Sequence, residues 1–359
     1  MNTDVLPERS EVVVIGGGVM GAAALHYLVE LGCDRPVLVE RDTLASGSTG
    51  RCAGGVRTLF SDDLNRRVCV ESIRRLEQFE DEVGQELDLR LWGYLFLLAT
   101  DADAARFAAE GAQMLSPDDA RRIVPQLDVT GLAAAAFDER AGYVTPDLVV
   151  QGYARHAAER GAHIEQSCAA TRIVTERGRV TGIETTRGSI ATERVILTAG
   201  VWSSELFDLP IERERRYMFF TEDAPSFPAE LPLTIDFQTG FYFHREGAAL
   251  ALGGREQTIE ELAPVAARRL PSLEELGIRS SWWGYYEMSP DHNALVGAAA
   301  EPAGLSYATG FSGHGFQQGP VVGEYLAQLA LGVEPTFDLS EFAIERFASG
   351  TGRREQNVV

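Results

Sequence analysis

Two hydrophobic periods alternate along the chain. Near the start, Val12-Val13-Val14-Ile15 is an unbroken apolar run, the pattern of a parallel strand buried on both faces. Gly16-Gly17-Gly18-Val19-Met20-Gly21 follows, then an apolar helix from about Val19 to Leu31 with Gly32 as its stop. A second strand, Val37-Leu38-Val39, ends in Glu40. From Asp62 to Glu86, Leu64, Val68, Ile73, Leu76, Phe79 and Val83 recur at helical spacing and predict one amphipathic helix. Leu89 to Ala99 reads as a strand, Ser116 to Leu127 as a short capped helix, and Thr145-Pro146-Asp147 opens a helix running to Arg160-Gly161. Between Ala162 and Glu184, two short strands flank the turn Glu176–Arg179, and Glu193 to Gly200 is an apolar strand ending in small residues.

Beyond Arg213 the period changes to two. Tyr217–Phe220, Leu233–Asp236, Gly240–His244 and Ala249–Arg255, joined by short turns, predict an antiparallel sheet. A helical segment around Ile259–Leu270 and an aromatic strand, Ser281–Glu287, complete it. Leu305 to Gly310 is a strand entering a glycine loop, followed by the helix Pro320–Leu331. Ser349 to Val359 has no pattern and reads as a disordered tail. No repeat is present. Three glycine-bearing strand ends, near Gly18, Gly200 and Gly313, are thus expected to converge on one extended ligand.

The first of these ends has a recognisable chemistry. Gly16-x-Gly18-x-x-Gly21 lies between a strand and a helix: Gly16 for the tight turn, Gly18 for approach to a pyrophosphate, Gly21 for close helix packing. Glu40 stands where a ribose presents its hydroxyls and repels a 2′-phosphate, so the unit is expected to bind an adenine dinucleotide. The loop Ala45–Gly50, continued by Arg51–Arg57, is so rich in small residues that a ligand is expected to order it.

Composition narrows the classes. A chain of 359 residues exceeds one mononucleotide unit and suits two domains. The net charge of -21 excludes nucleic acid and anionic membranes as partners, because a field of that sign repels both. All 32 cationic side chains are arginine, so lysine Schiff-base and lysine general-base chemistry are ruled out. Cys33, Cys52, Cys69 and Cys168 form no C-x-x-C pair, and the six histidines are dispersed, so no disulfide framework or metal site is read. The opening MNTDVLPERS lacks a signal-peptide pattern and no apolar run is long enough to span a bilayer, so a cytoplasmic protein without membrane insertion is expected. Ser312 lacks the Gly-x-Ser-x-Gly spacing of a hydrolase elbow.

Taken in order, GGGVMG with Glu40, SGSTGRCAGGVR, VILTAGVW, YYEMSPDHNALVG and GFSGHGF resemble the FAD-dependent D-amino-acid oxidase superfamily, most of all its sarcosine oxidase and glycine oxidase branch. The loop SGSTGRCAGGVR is most similar to the beta subunits of dye-linked L-proline dehydrogenase and heteromeric sarcosine oxidase. The resemblance implies a mixed α/β fold. A Rossmann-like, glutathione-reductase-like FAD-binding domain would comprise residues 9–86, 145–212 and 288–348, and an inserted antiparallel or mixed-sheet substrate domain residues 87–144 and 213–287, with 349–359 as the tail.

Site residues follow from the same resemblance. Gly16, Gly18, Val19, Met20, Gly21, Glu40 and Arg41 would hold the ADP half of FAD, with Ala199, Gly200 and Trp202 as a second contact. Ser48, Thr49, Arg51, Cys52 and Ala53 would lie along the pyrophosphate and flavin. Gly313, His314, Gly315, Phe316 and Gln317, at the start of the last helix, would offer N–H groups and a positive dipole to the flavin's pyrimidine oxygen. Arg57 matches the arginine that forks onto the substrate carboxylate, Tyr242 an aromatic position over the substrate, and His244 lies nearby as a third catalytic candidate. Gln317 stands where monomeric sarcosine oxidases place a carboxylate-binding lysine. Each has a plainer alternative: His244 as a polar residue on a sheet face, Arg57 as a loop brace, and Tyr242 with Trp282, Trp283, Tyr285 and Tyr286 as packing.

Departures from the family pattern shape the expected activity. Gly284 and Arg51 occupy positions where relatives attach flavin covalently, which implies non-covalent FAD. Ala251 replaces a lysine that assists oxygen, which leaves O2 or another electron acceptor open. The expected reaction is oxidation of the C–N bond of a small amino or imino acid such as sarcosine, proline or glycine, by hydride transfer to flavin N5 to give an imine. Alternatives are a 2-hydroxy-acid oxidoreductase, a flavin subunit acting with partner subunits, and a non-enzymatic dinucleotide-binding regulator.

Overall fold

The computed structural model describes residues 6–350 and 352–358; residues 1–5 of the opening segment, and positions 351 and 359 of the expected tail, lie outside the described residues. The strand Val13–Ile15 is flanked in parallel by Val195–Leu197 and Val37–Val39, with Val13 opposite both Val195 and Val37. Every residue of these three strands is buried, which explains unbroken apolar runs in place of alternation. The full six-stranded order is Leu295–Ala298, Leu305–Thr309, Val195–Leu197, Val13–Ile15, Val37–Val39, His163–Glu165, antiparallel only at the Leu295–Ala298 edge.

The helix Val19–Glu30 leaves the first strand and lies between two other helices, Gly319–Leu331 and Pro146–Glu159. Gly323 lets the first pair approach closely, since a Cβ there would meet the Ala23–Ala24 backbone at 2.8 Å. Covered on several sides, the helix Val19–Glu30 buries nine of its twelve residues, which is why it reads as apolar all round. The single helix expected from Asp62 to Glu86 is two. Asp63–Glu77 is capped by the Asp62 carboxylate, which accepts from the Leu64 and Asn65 N–H groups, and Phe79–Val83 ends at left-handed Gly84. Gln78 breaks the helix without shifting the buried stripe, so the period gives no sign of the break.

A second sheet of eight strands runs in the order Ile278–Met288, Glu212–Thr221, Ala249–Gly253, Tyr242–Glu246, Leu233–Asp236, Tyr94–Leu98, Ala134–Asp138, Gln113–Leu115. It is mixed rather than antiparallel throughout, because Leu233–Asp236 lies parallel to Tyr94–Leu98 from the earlier excursion. The aromatic strand is longer than expected and pairs with Glu212–Thr221 from Met288 back to Ile278. The helix Asp101–Ala109, capped by Thr100, has no hydrophobic period because Phe107 is its one buried residue. Ala162 to Glu184 holds three strands rather than two. His163–Glu165 joins the first sheet, while Ala170–Glu176 and Arg179–Thr185 join Gly188–Ala191 in a small separate sheet.

Among the described residues 352–358, the expectation of a disordered tail is corrected. Glu355 and Asn357 are fully buried. The Glu355 carboxylate accepts from Ser61 N–H (3.0 Å), Ser61 hydroxyl (2.8 Å), Asp62 N–H (3.0 Å) and Asn65 Nδ2 (3.1 Å). A polar stretch without period resembles a tail in sequence; here it satisfies buried donors of the loop and helix around Ser61.

Candidate active site

The site begins at the C-terminal ends of the first sheet. Gly16 has φ 109, and a Cβ on it would meet the Thr198 backbone; a Cβ on Gly21 would run into the Gly16 carbonyl oxygen. Gly18 differs: a Cβ there would face open cavity, with Thr49 Oγ1 at 3.0 Å as its nearest neighbour. Glu40 accepts from Gly17 N–H at 2.6 Å and, through its other oxygen, from Asp42 N–H at 2.8 Å. The turn and the carboxylate are therefore one rigid unit.

The small-residue loop is ordered by protein partners. Thr49 Oγ1 accepts from Val19 N–H at 3.1 Å, at the start of the first helix. The Ser48 hydroxyl donates to the Tyr285 carbonyl (2.7 Å), Arg51 to that of Trp283 (3.0 Å), and Trp282 Nε1 to that of Arg51 (3.2 Å). The loop is thus clamped along the free edge of Ile278–Met288. Gly284 sits against Arg51, whose Cβ would lie 3.2 Å from a Cβ on that glycine.

Between the two sheets lies a cavity of about 590 Å³. Every expected cofactor residue except Gly21 lines it, and Gly21 acts beneath, in the helix packing. At one end the Arg41 guanidinium stacks 4.0 Å from the Trp202 ring. Arg57, Tyr242 and Gln317 line it as well. Gln317 Oε1 accepts from Arg57 N–H at 2.8 Å. Arg57 is 5% exposed; its guanidinium stacks 4.0 Å from the Phe60 ring and donates to the carbonyls of Leu59 and, at 2.7 Å, Asn357. The Tyr242 ring covers Gly253, where no Cβ fits, and its hydroxyl lies 2.8 Å from Met218 Sδ. Burial pushes the phenols of Tyr242, Tyr94 and Tyr286 up, so all three stay neutral donors at pH 7.

His244 is not part of this wall. It shares a strand with Tyr242, but the cavity ends at Tyr242, and the histidine is buried behind it with Nδ1 2.8 Å from the Arg245 carbonyl and its ring 4.7 Å from that of Tyr143. Burial pushes its pKa down to about 4, so it is neutral at pH 7. The plainer alternative fits it. His314 does line the cavity. Its backbone N–H is taken by the Phe311 carbonyl at 3.1 Å, so the glycine turn has one fewer free donor than expected. Its Nε2 is buried without a partner. Burial, partly offset by the Glu355 carboxylate, pushes its pKa down to about 4. A short turn, Phe316–Gln318, separates this loop from the helix Gly319–Leu331.

Sequence reasoning passed over Glu287, Arg216, Tyr94 and Thr198, all in the lining. Glu287 accepts from the Thr309 hydroxyl at 2.8 Å, and burial, opposed by that bond and by the Gly310 and Phe311 N–H groups, pushes its pKa up to about 7. Its signal was a lone acid within an aromatic strand.

These residues fit a flavin adenine dinucleotide. The cavity is open at Gly18, where a backbone must be approached closely, has the Glu40 carboxylate at the position expected to meet a ribose, and includes the buried His314 Nε2, which has no partner. Comparison with known proteins agrees. The chain is 29% identical to FAD-dependent oxidoreductase domain-containing protein 1 of Xenopus laevis, covering 99% of this chain and 86% of that protein. It is 28% identical to human mitochondrial sarcosine dehydrogenase over 95% of this chain but 42% of that protein. The structure of L-proline dehydrogenase from P. horikoshii superposes with a TM-score of 0.89 at 29% identity, covering 96% of this chain and 99% of that one. Among the described residues no helix is long and apolar enough to cross a membrane. With the FAD dependent oxidoreductase family model matching residues 11–329, the chain belongs to that family and is an FAD-dependent oxidoreductase.

Proposed function

We propose that the enzyme oxidises the C–N bond of a small amino or imino acid of the sarcosine, proline or glycine kind, with Arg57 as carboxylate anchor and Tyr242 as the aromatic cover. The observation that carries this reading is the presence of the buried Arg57, the half-buried Tyr242 and Gln317 in the lining of one cavity whose glycine cradle suits FAD. The names of the similar sarcosine and L-proline dehydrogenases support it.

The bound flavin supplies the two-electron acceptor. The protein's part is positional. Stacking on Phe60 and the carbonyls of Leu59 and Asn357 fix the Arg57 plane, leaving its remaining N–H groups for a carboxylate. Tyr94, Tyr242 and Tyr286 line the cavity as neutral phenols, and the same desolvation that keeps them neutral penalises an ammonium and favours the neutral amine from which a hydride can leave. Ala251 is buried with Met218 and Phe220 against Tyr242, and this position supplies no cation for oxygen to react beside; on that ground we assign the electrons to an acceptor other than O2.

The test is the visible spectrum of the purified holoenzyme under anaerobic addition of sarcosine, L-proline, glycine and several D-amino acids. Bleaching of the flavin band by one of them, with slow recovery in air, is expected. A band that 2-hydroxy acids bleach and amino acids do not would overturn the substrate class. Acid precipitation should leave the flavin in the supernatant; colour retained in the pellet would overturn non-covalent binding.

A further inference from the structure

The segment 352–358 meets the cavity beside Arg57. Val358 is part of the lining, and the Asn357 carbonyl receives the Arg57 guanidinium at 2.7 Å. The segment is tied to both halves of the molecule. On the dinucleotide side the Glu355 N–H donates to the Asp291 carbonyl (3.0 Å), and its carboxylate holds Ser61, Asp62 and Asn65. On the side of the eight-stranded sheet, Asn357 Nδ2 donates to Glu110 at 2.8 Å, just after the helix Asp101–Ala109. Seven residues thus form a strap between the two halves, ending against the cation proposed to receive substrate.

We propose that this strap is a positioning and specificity-determining element: the Asn357 carbonyl holds the Arg57 fork in its receiving orientation, and Val358 limits how bulky an acid the pocket accepts. The inference rests on the reading of Arg57 as the carboxylate anchor. Its physical basis is twofold. A buried guanidinium that loses a carbonyl partner must turn to find another, because an unsatisfied buried donor is costly. A side chain standing in the lining excludes any substituent that would share its volume.

The experiment uses FAD-loaded protein and does not depend on turnover. Pyrrole-2-carboxylate and the bulkier indole-2-carboxylate are titrated against the flavin absorbance of three variants: a chain stopped after Arg354, the full-length Glu355→Ala, which removes the strap's carboxylate ties to Ser61, Asp62 and Asn65, and Arg57→Gln. Flavin content and melting temperature identify folded variants; if the shortened chain does not fold, Glu355→Ala decides. The expected result is about tenfold weaker binding of pyrrole-2-carboxylate in the strap variants, with a smaller gap between the two acids. Unchanged binding of both acids in the strap variants, with weakening in Arg57→Gln, overturns the strap alone. Tighter binding in the strap variants also overturns it, making the segment an obstruction. If Arg57→Gln binds both acids as the parent does, the anchor reading falls and the strap inference with it.

Discussion

Single residues at this site act through space they leave open or charge they withhold. Gly21 has the Gly16 carbonyl where its Cβ would stand, so Gly21→Ala must push the first helix off its strand. That variant is expected to purify with most of its flavin lost, read as the ratio of 450 to 280 nm absorbance; full retention would refute the packing role. Glu287 concerns charge. Its pKa is raised to about 7 from an ordinary 4.5, so its contribution to stability is complete below about 4.5 and fades as pH rises through 7. Glu287→Gln cannot charge, and its melting temperature should therefore gain on the parent's between pH 5 and 8, by at most about 3 kcal/mol in stability. A constant offset across that range would show that the carboxylate is not penalised. The glycines were legible in the sequence because their role is local and covalently spaced. His244 was not, because a strand pattern gives the face of a residue but not how far along the strand a cavity reaches.

Pairs of elements carry the next level. Helices Val19–Glu30 and Pro146–Glu159 meet through His26 and His156, whose Nδ1 atoms lie 2.8 Å apart, one donating and one accepting. Burial first, then the neighbouring His156, pushes His26 down to about 3 from 6.5. A depressed basic pKa gives stability that is present above 6.5 and lost as pH falls toward 3. His26→Gln keeps a hydrogen-bonding group and removes that titration, so its denaturant midpoint should fall less steeply than the parent's between pH 6.5 and 4.5. Parallel profiles would mean that the pair does not report on acid. The helices themselves were legible from period and caps, and the break at Gln78 was not. Asp101–Ala109 escaped notice with a single buried residue, and the strap 352–358 because its partners are polar groups distant in the chain.

For the whole molecule the governing quantity is the charge of -21. Self-repulsion of that size opposes compactness and is screened within about 10 Å at 0.1 M salt. Raising sodium chloride from 10 to 200 mM should therefore raise the melting temperature; a fall would indicate that attractive ion pairs dominate. The sheets have a further consequence, in the time domain. Tyr94–Leu98 is paired with Leu233–Asp236, and Val13–Ile15 has its parallel neighbour at Val195–Leu197, which in turn leans on Leu305–Thr309. During synthesis each early strand must therefore wait, edge exposed, for a partner made more than a hundred residues later, and the first sheet closes only when residue 309 has left the ribosome. Such non-local pairing folds slowly and leaves aggregation-prone edges in the interval. The yield of native enzyme should then depend on the rate of translation and on chaperones more than on the stability of the finished fold.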